Sequence, residues 1–218
     1  MARCRQCGKP AEVYLDYARM HLCPECFNEY YERKVKSTVE RFKMIRADDR
    51  ILVAVSGGKD SASLLAVLKK LYPKVDMTAV YLHLGIPKYS DHCEKKFLQL
   101  VEKLEVEPVV YRLQEELGFT IPDFQRTIYR KRICSPCGTV KRYLLNRLAY
   151  EGGYSKVATG HNLDDTVETL FNNYLHGDLQ QIVRIKPVLP ATHSKFVCKI
   201  KPLWEVTELE NMFYAMYN

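Results

Sequence analysis

Ile51-Leu52-Val53-Ala54-Val55 is an unbroken apolar run, and Ser56-Gly57-Gly58-Lys59-Asp60-Ser61 follows it without a spacer. A strand with no apolar–polar alternation must be covered on both faces, which is the condition of a strand in a parallel sheet. A helix over 62–71 follows the glycines. The alternation then continues, with strands expected at 77–82, 108–113 and 156–158 and helices at 91–104, at 138–150 and from Asp164. This order predicts an α/β fold with a doubly wound, mainly parallel sheet.

The glycine segment between strand and helix has a chemistry of its own. Glycines let backbone N–H groups approach a phosphate closely, and the helix N-terminus adds partial positive charge. Lys59 adds a point charge, and Ser56 and Ser61 can donate hydroxyl hydrogen bonds. Asp60 cannot help an anion by itself, so its task is to hold a metal ion or to orient the loop. The spacing is neither G-x-x-x-x-G-K-[ST] nor G-x-G-x-x-G. A second segment, residues 159–168, carries Gly160, His161, Asp164 and Asp165 and follows the strand at 156–158. In a parallel sheet it falls at the C-terminal strand edge, where ligands bind. Helix capping explains one of the adjacent aspartates. The other, with the histidine, points to metal-ion or charge control near phosphate.

Six of the eight cysteines form three Cys-x-x-Cys pairs. No apolar signal region opens the chain and no apolar run approaches the ~20 residues of a membrane span, so a cytoplasmic protein is expected. There, cysteine pairs mean metal or redox chemistry rather than a disulfide framework. Fifteen residues separate the pair Cys4 and Cys7 from the pair Cys23 and Cys26, with a hairpin-like stretch over 12–17 between them. Four thiolates in two knuckles fit structural Zn²⁺, and so short a unit needs such a staple. Residues 1–26 are therefore expected to be a zinc-ribbon unit. Residues 27–46 read as an amphipathic linking helix, with Phe27, Tyr31, Val35, Thr38, Phe42 and Ile45 on one face. Residues 47–218 are the main domain.

The third pair, Cys134 and Cys137, precedes the helix that carries Lys141 and Arg142. A helix N-terminus and neighbouring cations favour thiolate. A redox disulfide, a persulfide carrier and iron–sulfur ligation remain open on residue chemistry alone, the last normally requiring more cysteines. The formal net charge is +7, and the stretch 126–147 holds seven basic residues and no acid: Arg126, Arg130, Lys131, Arg132, Lys141, Arg142 and Arg147. A cationic cluster beside reactive thiols suggests contact with RNA phosphates.

Ala54 to Ser61 resembles the signature of the PP-loop ATP pyrophosphatases, which cleave ATP between the α and β phosphates and adenylate a carbonyl oxygen. Residues 159–168 resemble the second motif of the tRNA-thiolating members, and His83-Leu84-Gly85-Ile86 resembles their adenine-side loop. The double knuckle, the SGGKDS loop, the CxxCG-x-x-KRYLLN stretch and the GHNLDD segment occur in that order. With them, essentially the whole chain resembles the TtuA-type tRNA 2-thiouridine synthetases. The resemblance implies ATP, with Mg²⁺, at Ala54, Ser56, Gly57, Gly58, Lys59, Asp60, Ser61, His83, Gly160 and Asp165. It implies Cys134 and Cys137 as two of three ligands of a 4Fe–4S cluster, and Cys134, Cys137, Lys141 and Asp165 as the catalytic set. Expected partners are tRNA, gripped by Arg126, Arg130, Lys131, Arg132, Arg142 and Arg147, a ubiquitin-like carrier with a C-terminal thiocarboxylate, and a second copy in a homodimer.

The expected reaction is adenylation of the C2 carbonyl of a tRNA uridine, favoured as the T-loop ribothymidine, and replacement of that oxygen by sulfur. Thiolation of the wobble uridine or of a cytidine is the alternative within the family. A zinc-bearing RNA-binding module that uses nucleotide only as a switch is the non-enzymatic one. A small-molecule PP-loop synthetase would have no use for the cysteine pair. The family's third cluster cysteine and its carboxy-terminal zinc unit lie beyond the helix that follows 201–207, and the chain stops inside that helix. Its apolar residues are still arriving at Asn218, so a longer natural protein is expected. Cys198, on a strand over 196–200, and Cys93, on a helix, read as small buried hydrophobes.

Overall fold

The computed structural model describes residues 2–218. Two short strands, β1 (Val13–Leu15) and β2 (Met20–Leu22), pair antiparallel ahead of a long helix, α1 (Pro24–Arg41). α1 begins earlier than its apolar stripe indicates because Pro24 stands in its first turn, where a missing N–H costs nothing. It ends at Arg41 because Lys43 takes a left-handed φ of 49°. The main domain then runs β3 (Arg50–Ala54), α2 (Lys59–Leu71), β4 (Asp76–His83), α3 (Tyr89–Leu104), β5 (Glu107–Arg112), α4 (Leu113–Leu117), α5 (Cys134–Glu151), β6 (Lys156–Ala158), α6 (Leu163–Leu175), α7 (Leu179–Ile182), β7 (Val188–Leu189), β8 (Cys198–Ile200) and α8 (Glu208–Tyr217).

Six of these strands form one sheet in the order β5-β4-β3-β6-β8-β7, parallel throughout except where β7 pairs antiparallel with β8. The expected doubly wound α/β architecture is the one observed. β3 lies centrally and alternates between two packed layers. Ile51 and Val53 join Leu64, Leu68 and Phe97 on one face, whereas Leu52 joins Val80, Ala149 and Val157 on the other. Burial of each of the larger of these side chains contributes about 1.5–3 kcal/mol. The first layer continues into the N-terminal knuckle and α1, with Tyr31 stacked on Tyr214 of α8 at 4.1 Å between ring centroids. No helix among the described residues is long and apolar enough to cross a membrane.

From β3 the chain builds outwards through β4 to β5, then returns across the sheet to β6. The strand order therefore reverses between β3 and β6, and a crevice opens there beyond the C-terminal strand ends. The opposite edge is closed by Asp49. Its carboxylate accepts from Ser155 Oγ at 2.8 Å and from the Arg46 backbone N–H at 2.6 Å, and it pairs with Lys156. Burial acts to raise the Asp49 pKa, but the bonds from Lys156, Arg46 and Ser155 outweigh it and hold the carboxyl below its ordinary value. A depressed carboxyl pKa stabilises the fold above the unfolded value of about 3.9 and loses that contribution as pH falls through the folded value. Asp49→Asn should cost about 1–3 kcal/mol at neutral pH, and acid titration followed by circular dichroism should show a shallower loss of stability below pH ~4 than in the parent.

Candidate functional site

The glycine segment lies at the crevice between β3 and β6. Gly57 has φ +82°, and a Cβ added there would stand 2.8 Å from Cys93 Cβ. The turn is tied from within: Ser61 Oγ donates to Gly58 O and accepts from the Ser56 N–H, each at 3.0 Å. α2 starts at Lys59, so the exposed backbone of Ser56 to Gly58 leads directly into a helix N-terminus. That is an anion-binding arrangement.

The second motif packs onto this loop. A Cβ at Gly160 would lie 3.2 Å from the Asp60 carbonyl carbon and from Ser61 N and Cα, so any larger residue would press on the loop backbone. Asn162 Nδ2 donates to Asp60 Oδ1 at 3.3 Å, and Asn211 Nδ2 of α8 donates to the same oxygen at 2.8 Å. Asn211 Oδ1 in turn accepts from Tyr31 OH at 2.7 Å. The Asp60 carboxylate is thereby part of the loop's frame. Lys59 Nζ donates to Glu208 Oε1 at 2.6 Å, and this bond raises its pKa.

Capping employs both aspartates, where the sequence argument allotted it one. Asp165 and Asn162 exchange reciprocal bonds at 3.0 Å at the start of α6, and Asp164 Oδ2 accepts from the Glu208 N–H of α8 at 2.7 Å. Asp165 also lines a cavity of about 540 Å³ with His161, Arg142, Arg184 and Lys201. Desolvation in this cavity lowers the His161 pKa, Lys201 and Arg142 add to the effect, and Asp165 opposes it. His83, at the end of β4, stands 3.2 Å from Asp91 Oδ1. Ala54 ends β3 beneath the loop.

α5 carries the third cysteine pair to the same edge. The helix ends where β6 begins, so its N-terminus points back towards the C-terminal strand ends. Cys137 packs against the cluster of Leu84, Tyr111 and Ile121 beyond β4 and β5, and Cys134 is exposed. α5 starts at Cys134 rather than at 138 because Pro136 falls in the first turn, where helices tolerate proline. Cys134, Cys137 and Lys141 share one face of it at helical spacing. Cys198 pairs in register with Lys156, at the opposite edge of the sheet, and Cys93 is buried under Gly57. Neither stands with the pair. Arg126, Arg130, Lys131 and Arg132 are exposed along a loop that bounds a second cavity of about 1120 Å³. Arg147 is paired with Glu151 at 2.8 Å.

The N-terminal cysteines form the one cluster of three or more metal-ligating side chains among the described residues. The sulfurs of Cys4, Cys7, Cys23 and Cys26 all lie within 4.8 Å of one another. A tetrahedral zinc with Zn–S of about 2.3 Å sets ligands about 3.8 Å apart, and an all-thiolate donor set suits that ion. Burial raises the Cys26 thiol, and hydrogen bonds from neighbouring sulfurs add to it. For Cys4, backbone hydrogen bonds outweigh burial and draw it to about 6.

A glycine turn at the switch point of a parallel sheet, feeding a helix N-terminus without a Walker lysine spacing, defines a nucleotide-binding α/β protein of the PP-loop class. The chain belongs to the PP-loop domain family, which matches residues 27–216, and residues 3–28 match the 2-thiouridine synthetase TtuA N-terminal LIM domain. It is similar to the tRNA-5-methyluridine(54) 2-sulfurtransferase of Pyrococcus horikoshii, with 42% identity over 98% of this chain and 67% of that protein. The enzyme of the same name from Thermotoga maritima is 40% identical over 99% of this chain and 70% of its own length. Among solved structures, the U34-tRNA thiolase NcsA from Methanococcus maripaludis with its 4Fe–4S cluster superposes with a TM-score of 0.86. That match has 30% identity and covers all of this chain and 72% of the other.

Sequence reasoning missed Asn211, Glu208, Arg184 and Lys201. Each enters the site from an element far along the chain, and no local motif marks it.

Proposed function

We propose that this chain is an ATP-dependent tRNA 2-sulfurtransferase acting on 5-methyluridine at position 54. The observation that carries the reading is the meeting, at one sheet edge, of the phosphate loop and the Cys134–Cys137 helix. A loop that activates and a thiol pair that handles sulfur serve one reaction. Position 54 is favoured over the wobble position because the two 54-specific relatives are 42% and 40% identical, against 30% for the U34 thiolase.

In this mechanism the loop backbone and Ser56 hold the β and γ phosphates while Ser61 braces the turn, and Lys59 leaves Glu208 for them. His83 and Ala54 flank the nucleoside. Mg²⁺ arrives with the triphosphate, and Asp165, which lines the cavity, is its candidate ligand. The uridine O2 attacks the α-phosphorus and pyrophosphate leaves. Lys141 stabilises the developing charge. Sulfide sulfur then bonds to C2, the C2–O bond breaks, and AMP departs with the oxygen. Cys134 and Cys137 fit as two thiolate ligands of a 4Fe–4S cluster, the described residues supplying no third. Such a cluster, when bound, offers a soft iron site for inorganic sulfur. Arg126, Arg130, Lys131 and Arg132 hold tRNA phosphates, and a splayed-out base is expected.

We read residues 1–26 as a zinc unit, 27–46 as its linking helix and 47–218 as the catalytic domain. The sulfur carrier, homodimer and cytoplasmic location implied by the family belong to this reading.

Asp165→Asn removes the charge while keeping a cap. It should reduce tRNA-dependent pyrophosphate exchange by about a hundredfold or more, with zinc content and circular dichroism unchanged. Exchange at the parental rate would refute the role of Asp165. ATP binding without any tRNA-dependent exchange in the parent would favour the nucleotide-switched binding module instead.

A further inference from the structure

The cavity beside Asp165 has a composition that the phosphate loop does not explain. None of the loop residues lines it. Its cations come from three elements: Arg142 on α5, Arg184 after α7, and Lys201 after β8, while Lys199 on β8, outside the wall, feels the charge of Arg142. Among the described residues, none of these four forms an ion pair. Asp165 is the one carboxylate in the wall. Burial lowers the pKa of Lys201, with Asp165 opposing, and lowers that of Lys199, with Arg142 adding to it. A bound anion would relieve Lys201, which lines the wall.

The cavity also has a definite place. Asp165 and His161 connect it to the second motif, whose Gly160 touches the phosphate loop. On its other side, Arg142 folds back over the turn that holds the thiols: its Nη1 lies 3.1 Å from where a Cβ on Gly138 would sit, next to Cys137. The amides of Asn173 and Gln181 add donors and acceptors to the wall.

We propose that this cavity seats the acceptor nucleotide of the RNA, its flanking phosphates on Arg184, Arg142 and Lys201 and its base edge towards Asn173 and Gln181. The placement between the activating loop and the cysteine pair is where an acceptor must lie to meet both. A volume of about 540 Å³ admits a nucleotide. Charges spread over three elements suit successive phosphates better than a single carboxylate, which one guanidinium fork would satisfy. Arg142 also belongs to the basic stretch 126–147, so the cavity continues that surface. The proposal rests on the tRNA reading above and locates its substrate.

The test measures binding of a labelled T-arm stem–loop RNA by fluorescence anisotropy over a salt series, with the parent, Arg184→Ala, Arg184→Lys and Lys201→Met. Each charge-removing variant should weaken RNA binding about tenfold or more and flatten the log–log salt slope by about 0.7 per lost single-strand phosphate contact. Arg184→Lys should keep the slope and lose part of the affinity. Binding of a non-hydrolysable ATP analogue to Arg184→Ala should match the parent. RNA affinity and slope unchanged in a folded Arg184→Ala, whose residue is exposed, would overturn the proposal. So would the loss, instead, of binding to a peptide that ends in a free carboxylate, which would assign the cavity to a sulfur carrier. A parent that binds neither RNA nor ATP would fail the functional reading itself.

Discussion

Gly57→Ala is expected to reduce ATP affinity by a hundredfold or more while leaving the N-terminal four-cysteine knuckle folded. Two costs coincide at this position. The backbone φ of +82° is left-handed, which costs an L-residue about 1–2 kcal/mol. The new Cβ would also stand 2.8 Å from Cys93 Cβ and 3.0 Å from Cys93 Cα and O. The last two are backbone atoms of α3, a helix pinned by buried Phe97 and Val101. They cannot swing aside as the end of a flexible chain would, and overpacking of this kind costs about 1–3 kcal/mol more. The loop must move instead, and its N–H groups then point away from the phosphates. A displacement of about 1 Å in a positioning element can cost a hundredfold. Gly58→Ala is the internal control for stability: φ there is −93°, and the nearest atom to its Cβ is Ser56 Oγ at 3.6 Å. Calorimetry should find the melting temperature of Gly58→Ala near the parent and that of Gly57→Ala several degrees lower. Titration with ATP decides the functional part, and a parental dissociation constant for Gly57→Ala would remove this turn from nucleotide binding.

What the sequence makes legible is what neighbouring residues decide among themselves. The run 51–55 must be a doubly covered strand, and glycines followed by helical spacing must bend at its end. The knuckle cysteines are recognisable because both members of each pair lie within four residues. The helical stripe of Phe27, Tyr31 and Val35 likewise declares a packing face. Its partner is not legible: Tyr31 stacks on Tyr214, and nothing local to either residue names the other. The same holds for Asp164, whose bond partner is the backbone of Glu208 on a separate helix. A carboxylate that caps a distant helix looks, in one dimension, like a surplus carboxylate beside a phosphate loop. The start of α5 was obscured for another reason. The spacing starts the helix at Gly138, after Pro136, yet a first turn has no use for the N–H that proline lacks, and α5 begins at Cys134. β7 is two residues long and gives no periodic signal at all. The cationic cavity joins residues from α5, α6 and the segments after α7 and β8, so only the fold assembles it.

Removing the zinc we propose for the N-terminal cysteines, by chelation or by Cys26→Ser, is expected to have the larger structural effect, and one that reaches the phosphate loop. The apparent binding energy of a structural zinc site is about 10–16 kcal/mol at neutral pH. That is comparable to the whole stability of an ordinary domain, about 5–15 kcal/mol. β1 and β2 have three residues each and cannot stand alone. Cys4, Cys23 and Cys26 belong to the same packed cluster as Tyr31, Leu64 and Tyr214, so an opened knuckle uncovers one end of that core. The consequences continue through polar contacts. Tyr17, between β1 and β2, donates to the buried Glu210 of α8, which is also paired with Lys34 at 2.8 Å. The next residue, Asn211, holds Asp60 of the phosphate loop. Loss of the metal should therefore loosen α8 and then the loop. The expected result is a melting temperature at least about 10 °C lower, taking about 2–4 °C per kcal/mol for a chain of this size, together with weaker ATP binding. Asn211→Ala separates the two effects, because it should weaken ATP binding with zinc fully retained. Cys198→Ser, at the far edge of the sheet, should keep both the metal and the nucleotide. If the stripped protein melts with the parent and still binds ATP as tightly, the knuckle is neither a metal staple nor a support for the loop.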